Sequence, residues 1–299
     1  MRRNVKPAAV DHALPEDFPK PLLQGLHLLT REGALNADAR RKLKQISHLL
    51  TLLEPALRDV LQRFPDPQIV DAGAGKAYLG LLLAHRWLQI AQKGRLYAVE
   101  SRADLAARAE AIAREAGLDR VTFVPEAIDR AELPERVHLL CALHACDTAT
   151  DDALALAIGS GADHVAVVPC CQAEVARLLG AAFSANEGDA ALRGLHQHPW
   201  HRRELGAHLT NVVRALTLEA HGYQVTVTEL TGWEHSLKNE LILARRVHRE
   251  SRPARARLEA LLAAFGVRPA LVGLLEGEGV APASASAEPE SESANRGNG

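Results

Sequence analysis

Two short stretches hold residues whose types and spacing suit ligand chemistry. The first, Asp71-Ala72-Gly73-Ala74-Gly75-Lys76, follows the apolar pair Ile69 and Val70 and leads into a leucine-rich segment. That order predicts a strand, a turn and a helix, with bare backbone offered at the turn. Gly73 and Gly75 are the positions where a side chain would obstruct a close approach. The second stretch, Leu96-Tyr97-Ala98-Val99-Glu100, ends the next apolar run on an acid. A carboxylate there accepts hydrogen bonds from both hydroxyls of a ribose. Its plainer use is to cap the helix that follows, but the pairing with a glycine turn favours the ribose.

The turn excludes two common nucleotide sites. A dinucleotide fingerprint wants a third glycine where Tyr78 stands, and the G-x-x-x-x-G-K-[ST] loop that cradles a triphosphate is missing. Asp71 would repel a phosphate. It is suited instead to orienting the turn or meeting a cationic amino group. What fits is a nucleoside without a phosphate chain, and S-adenosylmethionine meets that description. Its expected contacts are Asp71, Gly73, Gly75, Lys76 and Glu100. Further along, Ile128 would pack on the adenine while Asp129 accepts from its amine, unless Asp129 merely caps a short turn.

Ligands of open α/β sheets bind beyond the carboxyl ends of the strands. The next strand ends are His144, Cys146 and Asp147, then Cys170 and Cys171. The first three are the candidate catalytic residues, placed where a transferring methyl would face its acceptor, with the paired cysteines lining the acceptor site. Thr148 is suited to cap the following helix, with Asp151 three positions on. Three thiols and an imidazole also admit a zinc reading. No C-x-x-C pair supports it, and small soft residues around a methionyl group are the commoner arrangement, so no metal is expected. A nucleophilic cysteine stays open as well. Near the end of the sheet, Glu234, Lys238 and Asn239 overfurnish what would otherwise be a simple hairpin turn, and they are expected to wall the acceptor site.

These residues need a scaffold, and its outline is legible. Seven apolar runs (QIVDAG, RLYAVE, VTFVPEAI, VHLLCALHA, HVAVVPC, YQVTVTEL and ELILARRV) alternate with helical stretches through the fifth. The pattern predicts a mostly parallel sheet closed by an antiparallel hairpin. Two helices precede it: PKPLLQGLHLLTREG, and a longer one from Ala37 to Phe64 that Asn36 would cap. The front of the longer helix carries Arg40, Arg41, Lys42 and Lys44. GLHQHPWHRRELGAHL interrupts the pattern after the fifth strand and reads as a substrate lid. Its His196, His198, Trp200 and His201 with two arginines would clamp a nucleobase, or else form a solvated loop. The expected division is a helical extension over 1–64, a catalytic domain over 65–250, a helix over 251–276 and an acidic disordered tail over 277–299.

Composition bounds the rest. The chain has 299 residues, 47% of them hydrophobic, and a formal net charge of −2. That balance neither demands nor excludes a nucleic acid. No apolar run is long enough to cross a bilayer, the N-terminus lacks a secretory h-region, and four cysteines favour a reducing, cytoplasmic setting.

VDAGAGKAYLG, ALHACDTATDDAL, VVPCC and EHSLKNELI occur in that order over roughly residues 68–247. Together they resemble the methyltransferase-like and glutathione-S-transferase-C-terminal-domain-containing proteins, with motifs similar to a tRNA 2′-O-methyltransferase family. The resemblance implies an α/β fold built on a seven-stranded Rossmann-like methyltransferase sheet, with S-adenosyl-L-methionine as methyl donor. The acceptor is expected to be RNA (tRNA or rRNA) or a protein, including a ribosome-associated one, with a small molecule as the further alternative. It also adds weight to Lys238 and Asn239 as acceptor residues. Asp147 stands where those families usually have glycine. The competing readings are a non-catalytic adaptor binding S-adenosylmethionine or RNA, and an NAD-dependent oxidoreductase.

Overall fold

The computed structural model describes residues 18–34, 37–143, 145, 147–169, 173–185, 194–195, 197–230 and 240–277. Seven strands form one sheet: β1 (Gln68–Ala72), β2 (Arg95–Val99), β3 (Val121–Val124), β4 (Leu139–Ala142), β5 (His164–Val167), β6 (Tyr223–Glu229) and β7 (Glu240–Arg246). Their order is β3-β2-β1-β4-β5-β7-β6. The first five pair in parallel, and β7 runs antiparallel to both β5 and β6. This is the outline that the seven apolar runs predict. β3 is shorter than its run because Pro125 follows Val124 and has no N–H for the ladder.

Period-2 alternation sends each strand's side chains to two different cores. Ile69, Leu96, Leu139, Cys141, Ala166 and Leu241 face helices α1 (Lys20–Gly25), α2 (Ala37–Arg63), α3 (Tyr78–Leu83) and α4 (Ala103–Glu115). Val70, Val99, Leu140, Val165 and Ile242 face α5 (Thr148–Gly159) and α9 (Ala270–Glu276). A third cluster joins α6 (Glu174–Ala185), α7 (Pro199–Ala220) and α8 (Arg252–Phe265).

Three expectations are corrected. The first helix stops after Gly25, well before Gly33. His27 turns left-handed there (φ 55°), and the Leu28 N–H donates back to the Leu23 carbonyl. Thr148 is the first residue of α5 and not its cap. Asp147 holds the cap position, and the Thr150 hydroxyl donates to the Ala145 carbonyl at 2.6 Å.

The third correction concerns the stretch read as a lid. From Pro199 onward it is the first half of α7, and a further helix, α6, precedes it. His198 caps α7 by accepting the Trp200 N–H at 3.2 Å, and Pro199 takes the first-turn position that proline favours. Gly206 obscures the helix in sequence, yet it is there for packing. A Cβ at that position would lie 2.6 Å from the Ala176 backbone on α6. The Asn36 cap and the acidic tail beyond Gly277 lie outside the described residues.

Candidate functional site

The glycine turn forms at the carboxyl end of the central strand. Gly73 and Gly75 take φ of 67° and 58°, a region open to glycine at little cost, and Ala77 follows at 53°. A Cβ on Gly73 would meet the Ala145 Cβ at 3.3 Å, so this glycine lets the turn lie against the loop after β4. Ala74 donates to the Val99 carbonyl at 2.8 Å, and Gly75 donates to Glu100 Oε2 at 2.7 Å. The turn and the end of β2 are therefore one joined surface, as their sequence pairing suggests. Lys76 is exposed on it.

Glu100 is occupied in a way the sequence did not signal. Its Oε1 accepts from the backbone N–H and Nε of Arg102, at 3.0 and 2.8 Å, and its Oε2 accepts from the Arg102 guanidinium at 3.2 Å. Burial alone would raise this carboxyl, but the Arg102 and Gly75 hydrogen bonds outweigh it and hold the group below its ordinary value. With the Gly75 bond, all four lone-pair sites of the carboxylate are taken. A ribose diol would have to replace the Arg102 side chain, which is 64% exposed and so able to turn outward. Arg102→Ala should accordingly tighten nucleoside binding about two- to five-fold, the range of an exposed ion pair. Calorimetric titration with S-adenosylhomocysteine checks this; weaker binding would mean that Arg102 itself holds the ligand.

Asp71 is buried, 2% exposed, and its Oδ2 accepts the Gly80 N–H at 3.0 Å. Of its two expected uses it serves the first, tying α3 to the turn. Burial pushes its carboxyl from 3.8 to about 7; the Gly80 bond opposes the rise and the Glu100 charge adds to it. The unfolded chain thus releases this proton first, so stability falls as pH climbs from about 4 to 7. Asp71→Asn keeps an oxygen for Gly80 and should remove that slope. Melting curves of the two proteins should coincide at pH 4 and separate by pH 8, with the variant higher; parallel curves would contradict this.

The remaining donor candidates follow β3. Ile128 is half-buried against the core under α5, and Asp129 is exposed, 3.7 Å from Arg130. Asp152 on α5 is pushed up to about 6 by burial, with the Asp129 and Asp151 charges adding to the rise. Asp129 and the start of α5 therefore share one acidic edge.

Asp147 ties two strand-end loops together. Its Oδ1 accepts from the N–H groups of Ala173 and Glu174, at 3.1 and 3.4 Å, and so caps α6. Its backbone is at φ 50°, ψ −118°, a region glycine prefers. The Asp147 carbonyl accepts from Arg214 at 2.8 Å. Arg214 also makes a two-point pair with Asp151, at 2.7 and 3.1 Å, and both side chains are almost fully buried. Asn211, one turn earlier, donates to Glu240 at the start of β7. Sequence reasoning missed this network. Its one signal is a lone arginine inside the apolar run Val212-Val213-Arg214-Ala215-Leu216.

His144, Cys146, Cys170, Cys171, Glu234, Lys238 and Asn239 lie outside the described residues. Cys141 is buried in mid-strand, and burial first, then the Asp71 charge, raises its thiol, so it is an inert core residue. No group of potential metal ligands occurs among the described residues. No described helix is long and apolar enough to cross a membrane.

A sheet of this strand order, with a glycine turn at β1 and an acid at the end of β2, is the Rossmann-like methyltransferase sheet. Residues 41–178 match the family described as a methyltransferase domain. S-adenosylmethionine is the cofactor that such a domain implies, and the open glycine turn beside Glu100 fits it. No curated protein matches the chain. Among solved structures, it is similar to an rRNA methylase from Streptococcus thermophilus at 12% identity and a TM-score of 0.43, over 66% of this chain and 95% of that one. Magnesium protoporphyrin IX methyltransferase from Synechocystis PCC 6803 is similar at 14% identity and a TM-score of 0.43, over 75% and 94%. The 23S rRNA methyltransferase ErmE is similar at 13% identity and a TM-score of 0.41, over 76% and 82%.

Proposed function

We propose that this protein is a cytoplasmic S-adenosylmethionine-dependent methyltransferase whose acceptor is RNA, either tRNA or rRNA. The observation that carries the reading is the junction of Gly75 with Glu100. It joins half-buried glycine backbone to a carboxylate at the strand ends, where a nucleoside would lie. In this reading Gly73 and Gly75 admit the methionyl end, and Glu100 takes the ribose hydroxyls once Arg102 turns outward. Ile128 packs the adenine and Asp129 accepts from its amine. S-adenosylmethionine, when bound, supplies an electrophilic methyl on a sulfonium, so the protein's task is chiefly alignment. His144 and Cys146 face the acceptor, and Asp147 positions them by holding the two loops together. Cys170, Cys171, Glu234, Lys238 and Asn239 wall the acceptor site, a reading supported by the resemblance of the surrounding motifs to those of a tRNA 2′-O-methyltransferase family.

RNA is preferred over protein because of the helices that flank the strand ends. Arg63, near the C-terminus of α2, binds Asp163 just before β5, at the opposite end of the sheet. Lys42 lies about 31 Å up that helix from Arg63, while the five residues of β1 span only about 17 Å. The basic start of α2, with Arg40 and Lys42 exposed, therefore rises past the rim on one face. On the other face α6 and α7 do the same. The test is transfer of labelled methyl groups from S-adenosylmethionine to RNA, protein and metabolite fractions of cells lacking the protein. Label should enter RNA. Label in protein would replace the acceptor class, and donor binding without transfer to any fraction would make the protein an adaptor.

A further inference from the structure

Arg214 meets Asp147 and Asp151 at the carboxyl-terminal rim of the sheet, only six residues from the end of α7. The rest of this 22-residue helix continues away from the sheet. It does so beside α6: Gly206 abuts Ala176, and Arg202 lies 3.6 Å from where a Cβ on Gly180 would be. The two helices thus form an antiparallel pair that rises from the rim next to the loop Asp147 caps. Trp200 is about 21 Å up that pair from Arg214.

At that height His198 caps α7 and Arg202 lies beside Gly180, but the Trp200 ring is turned to solvent. Trp200 is 54% exposed and Leu195 47% exposed, whereas the core-facing residues of α7 begin at Leu205. The Arg203 guanidinium lies over the Trp200 ring, 4.3 Å from its centroid. The His198 and His201 rings lie 5.4 Å apart, and both are exposed. From Leu195 to Glu204 the sequence holds three histidines, a tryptophan, two arginines and a single acid, Glu204, whose exposed pair with Arg203 at 3.4 Å is one that a phosphate can displace. An exposed indole costs hydration free energy unless something covers it. A protein-binding patch would bring further exposed apolar side chains, and among the described residues from 194 to 204 Leu195 is the one other large one. Flat rings with cations among them suit unpaired nucleobases, whose faces stack and whose phosphates pair with the cations.

We propose that the tip of the α6–α7 pair is a stacking platform for single-stranded RNA. An unpaired base lies on Trp200, and Arg202 and Arg203 hold the adjoining phosphates. The platform stands outside the methyl-transfer site and grips the acceptor strand at a distance from it. This rests on the RNA-acceptor reading above and adds the form of RNA recognised and the residues that recognise it.

The test uses the full chain, a fluorescein-labelled single-stranded RNA 12-mer of mixed sequence, and a duplex of the same length. Binding is followed by anisotropy, with S-adenosylhomocysteine calorimetry on each variant as the check of folding. Wild type should prefer the single strand. Trp200→Ala should weaken that binding about ten-fold or more, the range of one base–aromatic stack, and Trp200→Phe should recover much of it. Arg202→Gln with Arg203→Gln should reduce the salt dependence of binding by about two released counterions. All variants should bind S-adenosylhomocysteine as wild type does. Full RNA affinity in a Trp200→Ala protein that still binds S-adenosylhomocysteine would overturn the platform and leave the RNA-acceptor reading standing. Loss of self-association on the same substitution, without loss of RNA binding, would show that the patch joins two copies instead. Absence of RNA binding by wild type, together with methyl label entering protein, would overturn both.

Discussion

Arg214→Met should destabilise the fold by about 3–5 kcal/mol, the usual result of leaving one member of a buried pair without the other. That corresponds to roughly 10 °C in Tm for a domain of this size. The guanidinium is 1% exposed and serves both oxygens of Asp151 and the Asp147 carbonyl, so no water replaces it easily. Burial already raises the Asp151 carboxyl; Arg214 opposes that rise and the Asp147 charge adds to it. Without Arg214 its folded-state value rises further, so the variant's stability should fall as pH climbs above the unfolded value. The deficit should therefore be smaller at pH 5 than at pH 8. Adding Asp151→Leu removes the stranded acid and should recover most of the loss. Denaturant titrations at the two pH values check both statements. A deficit independent of pH, or a double variant no better than the single one, would contradict them.

Gly75→Val should abolish S-adenosylhomocysteine binding while the protein stays folded. At φ 58° a β-branched residue is strained, and its methyls would point toward Glu100 Oε2 and Arg102, each 3.9 Å from the added Cβ. Glu100→Ala should cost about 1–3 kcal/mol of donor affinity, the range for hydrogen bonds to a charged group. It also strips a partner from Gly75, so some of the loss will come from a looser turn. Unchanged calorimetric affinity in both folded variants would remove the donor from this site.

The sheet was legible because its signals are local and periodic. All seven runs became strands, and the shortness of the last connection announced the antiparallel pairing of β6 with β7. The meeting of the glycine turn with Glu100 was legible for a related reason: Gly73, Gly75 and Glu100 occur at strand ends, and strand ends converge. The α6–α7 pair was hidden by Gly206, whose absent side chain lowers helix propensity in sequence but makes room for Ala176 in space. Arg102 and Arg214 were hidden because nothing in a single sequence says which carboxylate an arginine will find. Asp147 was singled out as a candidate catalytic residue, and its carboxylate is found capping α6. A side chain's role in linking two loops depends on both loops, and they lie 26 residues apart.

The central claim is that the strand ends hold S-adenosylmethionine, and direct calorimetry of the full chain with S-adenosylhomocysteine and, separately, with NAD tests it. The account predicts one-to-one binding of S-adenosylhomocysteine, abolished by Gly75→Val, and no heat with NAD. Binding of NAD, or S-adenosylhomocysteine binding that survives Gly75→Val unchanged, would contradict it.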